Sequence, residues 1–126
     1  MAQILLVDDH PDLREVVGEL LRLHGHEVRD AETGEAALDE LGHGRVLPDV
    51  AIVDDRLPGM TGVELLRRIR EDPRLASVAV IVCSADDSNR EAAQLAGAVD
   101  FWLKGSDHLF DSVAKLDATL KSSSSS

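Results

Sequence analysis

The chain contains a single cysteine, Cys83, among its 126 residues. One cysteine cannot form a disulfide within the chain, which excludes a disulfide-stabilised secreted scaffold and favours a reducing compartment. Cys83 ends the apolar run 78–83, where a buried small side chain is expected rather than a nucleophile. No apolar stretch approaches the roughly 20 residues of a membrane span, and we find no signal-peptide pattern. These absences predict a soluble, cytoplasmic protein with no membrane partner.

Basic residues are also scarce, because 13 Lys and Arg face 24 Asp and Glu, a net charge of −11. Such a charge argues against direct binding to nucleic acid, since it repels phosphate backbones. Hydrophobic residues make up 44% and charged residues 29% of the chain, a balance that excludes wholesale disorder. The length is that of one domain, which we place at residues 1–121. The serines of residues 122–126 predict a flexible tail or the start of a linker.

Short apolar runs alternate five times with segments of helical periodicity. The apolar runs predict strands at residues 3–7, 27–30, 48–53, 78–83 and 99–103. The helical segments begin near Pro11, Thr33, Thr61, Ser88 and Leu109, with capping boxes predicted at Thr61 and Ser88. Solid Val, Ile and Leu strands are typical of a parallel sheet buried on both faces. We therefore predict an α/β fold, a doubly wound five-stranded parallel sheet with helices on both faces, whose strand order the pattern leaves open.

Polar side chains come directly after four of the predicted strands. Ligands of a doubly wound sheet bind outside the carboxyl ends of its strands, so these side chains are candidates for one site. They are Asp8 and Asp9 after the first strand, Asp54 and Asp55 after the third, Ser84 after the fourth and Lys104 after the fifth. Each of them alone is typical of a turn, a helix cap or a solvated surface. Only their shared placement at one edge of the sheet favours a functional site.

Converging carboxylates repel one another unless a cation lies among them. Lys104 is one candidate cation, and Mg²⁺ is another, because Mg²⁺ binds one or two carboxylates and keeps positions for phosphate oxygens. Acids, a hydroxyl and a lysine around a metal indicate phosphoryl chemistry, in which one carboxylate is the nucleophile. The Ser84 hydroxyl would then donate a hydrogen bond to the phosphoryl group.

Four motifs resemble those of the response-regulator receiver domain of bacterial two-component signalling, over about residues 3–120. They are Ile-Leu-Leu-Val-Asp-Asp-His-Pro at 4–11, Pro-Asp-Val-Ala-Ile-Val-Asp-Asp-Arg-Leu-Pro-Gly-Met-Thr-Gly at 48–62, Val-Ile-Val-Cys-Ser-Ala at 80–85 and Gly-Ala-Val-Asp-Phe-Trp-Leu-Lys at 97–104. The most specific feature is Asp54, followed four residues later by Pro58 and then by Gly-Met-x-Gly. The resemblance implies a flavodoxin-like sheet in the order 2-1-3-4-5.

The resemblance also implies the roles of the acidic residues. Asp54 would accept a phosphoryl group, and Asp55 would point elsewhere. The cofactor would be Mg²⁺, with Asp9 as a direct ligand and Asp8 acting mostly through water. The Asp54 carboxylate and the backbone carbonyl of Arg56 would complete the metal site.

The remaining site residues would sense the phosphoryl group. Lys104 would pair with it, and Ser84 and Phe101 would be the switch residues. The implied donor is a histidine kinase, a phosphotransfer protein or a small phosphodonor. The face of helix 4, strand 5 and helix 5 would then change its affinity for an unknown output partner or effector domain. Such a domain assists only its own phosphorylation and dephosphorylation and is not otherwise an enzyme.

The chain departs from the usual receiver pattern at several positions. Gly105 stands where a proline, often with a cis bond, usually follows the lysine, so a trans bond is expected. Phe101 lacks the hydroxyl of the commoner tyrosine. Arg56 and Asp86 occupy positions that resemble the family's tuners of phosphate lifetime. Trp102 fits either core packing, which we favour, or the output face.

Two alternatives to a phosphorylated receiver follow from these departures. A degenerate receiver would act as a phosphorylation-independent interaction module, for which Gly105 is the one mild indication. A phosphatase with an aspartyl nucleophile would need a second acid two residues after Asp54. Arg56 occupies that position, which argues against turnover of external substrates.

Overall fold

The structure, a computed structural model, describes residues 2–42, 46–116 and 118. The strands of its main sheet are β1 (Gln3–Val7), β2 (Glu27–Ala31), β3 (Val50–Asp54), β4 (Ala79–Ser84) and β5 (Asp100–Leu103). The helices are α1 (Pro11–Leu23), α2 (Gly34–Gly42), α3 (Gly62–Glu71), α4 (Arg90–Ala96) and α5 (Ser106–Ala114). Two short strands, Arg56–Leu57 and Met60–Thr61, pair as a hairpin before α3, and a 3₁₀ turn at Pro73–Leu75 follows that helix.

The five main strands pair in parallel in the order β2-β1-β3-β4-β5. This confirms the predicted doubly wound sheet and the flavodoxin-like strand order. Every residue of β3 and of β4 is buried, because helices cover both faces of the sheet at these central strands. The solid apolar runs of the sequence therefore mark the middle of the sheet.

Alternation along the strands divides the core into two layers. One layer packs against α1 and α5 and contains Leu6, Ile52, Ile81 and Trp102 from the strands. The other packs against α2, α3 and α4 and contains Val7, Val53, Val82 and Phe101. We call these the α1/α5 face and the α3/α4 face. Because alternate residues of a strand point to opposite faces, the position of a residue just after a strand decides which of the two faces its side chain lies on.

Local signals explain where most helices begin and end. Pro11 lies in the first turn of α1, where its missing N–H costs no hydrogen bond. The Thr61 hydroxyl caps α3 by accepting a hydrogen bond from the backbone N–H of Glu64 at 3.1 Å, as predicted. Gly97 ends α4 with a φ of 107°, a conformation that favours glycine.

The predicted capping box at Ser88 is wrong. Helix α4 begins at Arg90, and its N-cap Asn89 makes no side-chain capping bond. The Ser88 hydroxyl donates instead to Asp86 Oδ1 at 2.6 Å, and its backbone N–H donates to the same oxygen at 3.0 Å. The carboxylate two residues earlier therefore binds Ser88 in a local turn, which removes it from the helix.

The side chains of Cys83 and Trp102, for which the sequence suggested either a buried or a functional position, are both part of the core. Cys83 is 8% exposed and Trp102 is 2% exposed, both on the α1/α5 face. The described residues contain no cis peptide bond, so Lys104–Gly105 is trans as predicted. Within the same ranges, no helix is long and apolar enough to cross a membrane. The predicted tail at 122–126 and the predicted domain end at 121 lie outside the described residues.

Candidate functional site

The carboxyl ends of the strands bring the predicted polar residues to one edge of the sheet. In the parallel register, Asp54 pairs with Cys83 and Ser84 pairs with Leu103, so the residues after each strand lie side by side. Asp8, Asp54, Asp55 and Ser84 are all buried, at 3–6% exposure. The structure therefore places the predicted residues together, yet on two faces.

Asp54 and Lys104 form an ion pair on the α1/α5 face. The distance from Lys104 Nζ to Asp54 Oδ1 is 2.7 Å, and the two side chains are 19% and 3% exposed. Alternation explains the pairing, because Asp54 follows Ile52 by two residues and Lys104 follows Trp102 by two. The carboxylate thus has one oxygen held by an ammonium group.

Burial raises the pKa of the Asp54 carboxyl above its usual 3.8, since desolvation disfavours the charged form. The hydrogen bond and charge of Lys104 oppose this effect, and the charge of Asp8 adds to it. Burial lowers the pKa of Lys104, but Asp54 and the neighbouring acids outweigh it and raise that pKa above 10.5. A second cation beside Asp54 would favour its ionised form.

Two further acids and a histidine lie beside the Asp54 carboxylate. One ligand atom from each of Asp8, Asp9, His10 and Asp54 lies within 4.8 Å of the others. His10 Nδ1 lies 3.2 Å from Asp8 Oδ1, 3.1 Å from Asp9 Oδ1 and 3.9 Å from Asp54 Oδ2. The sequence interpretation did not single out His10, and its only signal was its position directly after the two acids.

Two buried carboxylate oxygens in this group accept no hydrogen bond from any described residue, since the 3.1 Å contact of His10 Nδ1 with Asp9 Oδ1 does not have hydrogen-bond geometry. They are Asp9 Oδ1 and Asp54 Oδ2. A buried carboxylate oxygen without a donor is costly, and a divalent cation would satisfy both atoms at once. The residues present therefore fit a cation such as Mg²⁺, with Asp54 Oδ2 and Asp9 Oδ1 as the ligands that the geometry offers first.

Ser84 lies on the other face and contacts Asp55. The Ser84 hydroxyl donates to Asp55 Oδ2 at 3.1 Å. Asn89 Nδ2 lies 3.1 Å from Asp55 Oδ1 and 3.0 Å from Asp55 Oδ2. Asp55 thus points away from Asp54, as predicted, while the hydroxyl that was expected to serve the phosphoryl group is hydrogen-bonded elsewhere. The sequence interpretation missed Asn89.

The hairpin after Asp54 holds the backbone of the site in place. Gly59 has a φ of 79°, which a turn at this position requires. The N–H of Gly62 donates to the carbonyl of Asp55 at 2.8 Å. Arg56 is exposed in the first short strand, and its backbone contributes slightly to lowering the pKa of Asp54. A metal contact through its carbonyl stays a prediction.

Phe101 packs in the core on the same face as Ser84. The ring is 5% exposed, and the guanidinium of Arg90 lies 4.8 Å from its centroid. Such a cation–π contact stabilises the inward position of the ring without a hydroxyl group. Arg90 is a second residue that the sequence interpretation missed.

A model of the response regulator receiver domain matches residues 4–113. The chain belongs to the response regulator receiver domain family. It is 38% identical over 96 residues to the chemotaxis protein CheY of Pseudomonas aeruginosa, over 73% of this chain and 76% of that protein. The solved structure of the response regulator TrrA from Thermotoga maritima, in complex with Mg²⁺-BeF, has a TM-score of 0.82 and 31% identity, over 95% of this chain and 99% of that one.

Other relatives of this receiver domain are longer proteins. A cyclic di-GMP phosphodiesterase of Thermotoga maritima is 38% identical over 98 residues, which are 78% of this chain and 26% of that protein. Receiver domains belong to signalling proteins, and some relatives, such as this phosphodiesterase, are enzymes.

Proposed function

We propose that this receiver domain accepts a phosphoryl group on Asp54 from a histidine kinase or a phosphotransfer protein, and that the acceptor site uses Mg²⁺. The observation that carries the proposal is the state of the Asp54 carboxylate. It is buried, one oxygen is paired with Lys104 at 2.7 Å, and the other faces three potential metal ligands without a hydrogen bond. That arrangement suits a nucleophile whose new charge must be compensated from two sides.

The proposed transfer is a displacement at phosphorus. An oxygen of the ionised Asp54 carboxylate attacks phosphorus, the P–N bond of the phosphohistidine breaks, and its electron pair returns to the imidazole. Lys104 exchanges its contact with the carboxylate for a contact with a phosphoryl oxygen. When bound, Mg²⁺ would supply positive charge to the phosphoryl oxygens, with Asp9, Asp8, Asp54 and the Arg56 carbonyl as its proposed ligands.

The proposed output lies on the α3/α4 face of the sheet and the helices beside β5. Phe101 and Ser84 occupy the same face, so a change at Ser84 would reach Phe101 and the Arg90 that covers its ring. The face of α4, β5 and α5 would then change its affinity for an effector domain or partner. We assign this function to residues 1–121, with residues 122–126 as the tail or start of a linker that the sequence predicts.

Turnover of external substrates has no support in the site. An aspartyl phosphatase needs a general acid near its nucleophile, and the residue two positions after Asp54 is the exposed Arg56. We therefore propose a phosphoacceptor that is not otherwise an enzyme, acting in the cytoplasm.

The test is intact mass after incubation with acetyl phosphate and Mg²⁺. Wild type should gain one phosphoryl group, and Asp54→Asn should gain none. Asp55→Asn is the matched control, because it removes the adjacent carboxyl on the other face and should keep the adduct. An adduct on Asp54→Asn refutes the acceptor assignment. No adduct on wild type, together with no binding of beryllofluoride, supports the phosphorylation-independent module instead.

A further inference from the structure

The buried carboxylate of Asp55 has no part in the proposed transfer, yet it organises the residues beside it. Asp55 is 5% exposed and accepts hydrogen bonds from Ser84 and Asn89. The backbone of Asp55 is fixed on both sides, because its N–H donates to the Cys83 carbonyl at 2.8 Å and its carbonyl accepts from the Gly62 N–H at 2.8 Å.

The Ser84 hydroxyl has one proton and can donate it to one acceptor at a time. In this structure the acceptor is Asp55 Oδ2, at 3.1 Å. A phosphoryl group on Asp54 would offer a competing acceptor on the other side of Ser84. Donation to that group therefore requires the bond to Asp55 to break, and the ionised Asp55 is a strong competitor because hydrogen bonds to charged groups are the stronger ones.

The geometry points to Asp55 as a positioning residue that holds the Ser84 hydroxyl away from the phosphoacceptor, so that Asp55 opposes the phosphorylated conformation. This inference rests on the proposed function and adds its regulation. Asn89 extends the effect to the segment before α4, because Ser84 and Asn89 bracket the exposed residues 85–88 and both bind the same carboxylate. Loss of the Ser84 bond removes one of the two side-chain attachments of that segment to Asp55.

The experiment is a double-mutant cycle on beryllofluoride binding with Mg²⁺ held constant. The four proteins are wild type, Asp55→Asn, Ser84→Ala and the double variant, and calorimetry gives the dissociation constant of each. Asp55→Asn should bind beryllofluoride about tenfold more tightly than wild type, the factor that about 1.4 kcal/mol of lost competition gives. In the Ser84→Ala background, the same change at Asp55 should tighten binding by much less than tenfold, because only the loss of charge acts and no hydroxyl remains to be released.

The cycle separates positioning from plain electrostatics. Removing a negative charge beside Asp54 favours an anion wherever that charge acts, with or without Ser84. A gain of the same size in the Ser84→Ala background overturns the inference, and so does an Asp55→Asn variant that binds like wild type. Asp55→Leu, which removes both the charge and the acceptor, gives a second measurement if the asparagine variant does not fold.

A second cycle on the same four proteins does not depend on phosphorylation. Urea unfolding without beryllofluoride gives the coupling between Asp55 and Ser84 in the resting protein. If urea unfolding shows coupling between Asp55 and Ser84 but the wild type does not bind beryllofluoride, the proposed function is refuted, and the regulatory role of Asp55 is refuted with it. Binding by wild type with no coupling in either cycle overturns the inference and leaves the proposed function standing.

Discussion

Replacing Gly62 by alanine tests how tightly the phosphoacceptor segment is packed. A Cβ built at Gly62 lies 2.5 Å from the carbonyl oxygen of Asp54, 3.1 Å from its carbonyl carbon and 3.1 Å from Cα of Asp55. All three atoms belong to the backbone, so no side chain can rotate away from the added methyl group. The segment that carries Asp54 and Asp55 must move as a whole.

The size of the effect follows from this contact. The carbonyl oxygen must move by at least about 0.5 Å before the contact reaches the shortest separation that Cβ atoms ordinarily show. Overpacking of this kind costs about 1–3 kcal/mol, and alanine at the start of α3 returns up to about 1 kcal/mol of helix propensity. We expect a net loss of about 1–2 kcal/mol, or a Tm lower by about 4–8 °C for a domain of this size.

Urea unfolding and the rate of phosphorylation by acetyl phosphate measure the two consequences. Gly34→Ala is the matched control, because Gly34 also begins a helix and the three atoms nearest to its added Cβ all belong to the side chain of Met60. Methionine adapts to such contacts, so this variant should lose under about 1 kcal/mol and be phosphorylated at the wild-type rate. Gly62→Ala should be less stable than the control and slower to accept a phosphoryl group.

Two outcomes would refute the reasoning for Gly62. One is a Gly62→Ala protein that unfolds at the wild-type urea midpoint, since the close approach to the Asp54 carbonyl would then impose no strain. The other is equal destabilisation by Gly34→Ala, which would mean that backbone and side-chain obstacles cost the same.

Four further outcomes are expected. Mg²⁺ at ten times its dissociation constant should stabilise the protein by about 1.4 kcal/mol in thermal unfolding, and no shift contradicts an acidic metal site. Lys104→Met should raise the pKa of Asp54 further; since a raised pKa gives stability at low pH that is lost as the pH rises through the folded value, the urea-unfolding deficit should be smallest below about pH 4 and grow as the pH rises above it, towards roughly 3 kcal/mol. A deficit that does not change with pH contradicts this. His10→Ala should weaken binding of Mn²⁺ more than binding of Mg²⁺ in competition titrations, because imidazole favours the transition metal; equal losses exclude His10 as a ligand. Cys83, whose pKa burial raises to about 12, should react with a thiol reagent only as the protein unfolds, and fast labelling of the native protein contradicts its burial.

The sequence predicted the sheet because the central strands are buried on both faces and therefore consist of continuous apolar runs. Strand β1 has the predicted bounds Gln3–Val7, and β4 begins one residue after its prediction and ends one residue later, at Ser84. The start of α4 was predicted less well, since Asp86 competes for the groups that would have capped a helix at Ser88. Strand interiors are fixed by burial, whereas helix ends depend on single hydrogen bonds.

The candidate site could be predicted as a set of residues but not as a set of contacts. The rule that polar groups gather at the carboxyl ends of parallel strands brought Asp54 and Lys104 together. His10, Asn89 and Arg90 carried no comparable signal, because each lies in or beside a loop and its partner is set by how distant segments pack.

The alternation of side chains along the strands also predicts the contact between Ser84 and Asp55. Val53 and Val82 belong to the same core layer, so Asp55 and Ser84, two residues further along neighbouring strands, lie on that layer's face together. Counting by two along each strand therefore pairs Ser84 with Asp55, and it pairs Asp54 with Lys104 on the opposite face.

The two consecutive aspartates thus have different roles because a strand turns adjacent side chains to opposite faces. Asp54 lies beside Lys104 and the acids after β1, where a phosphoryl group can be compensated. Asp55 lies beside Ser84 and the start of α4, where it can hold a hydroxyl. On the proposed function, a phosphoryl group on Asp54 would compete with Asp55 for the Ser84 hydroxyl, so that a new charge on one face would break a hydrogen bond on the other. In the function proposed above, transfer would take place on the face of Asp54 and its regulation on the face of Asp55, and the two faces are separated by the peptide bond between residues 54 and 55.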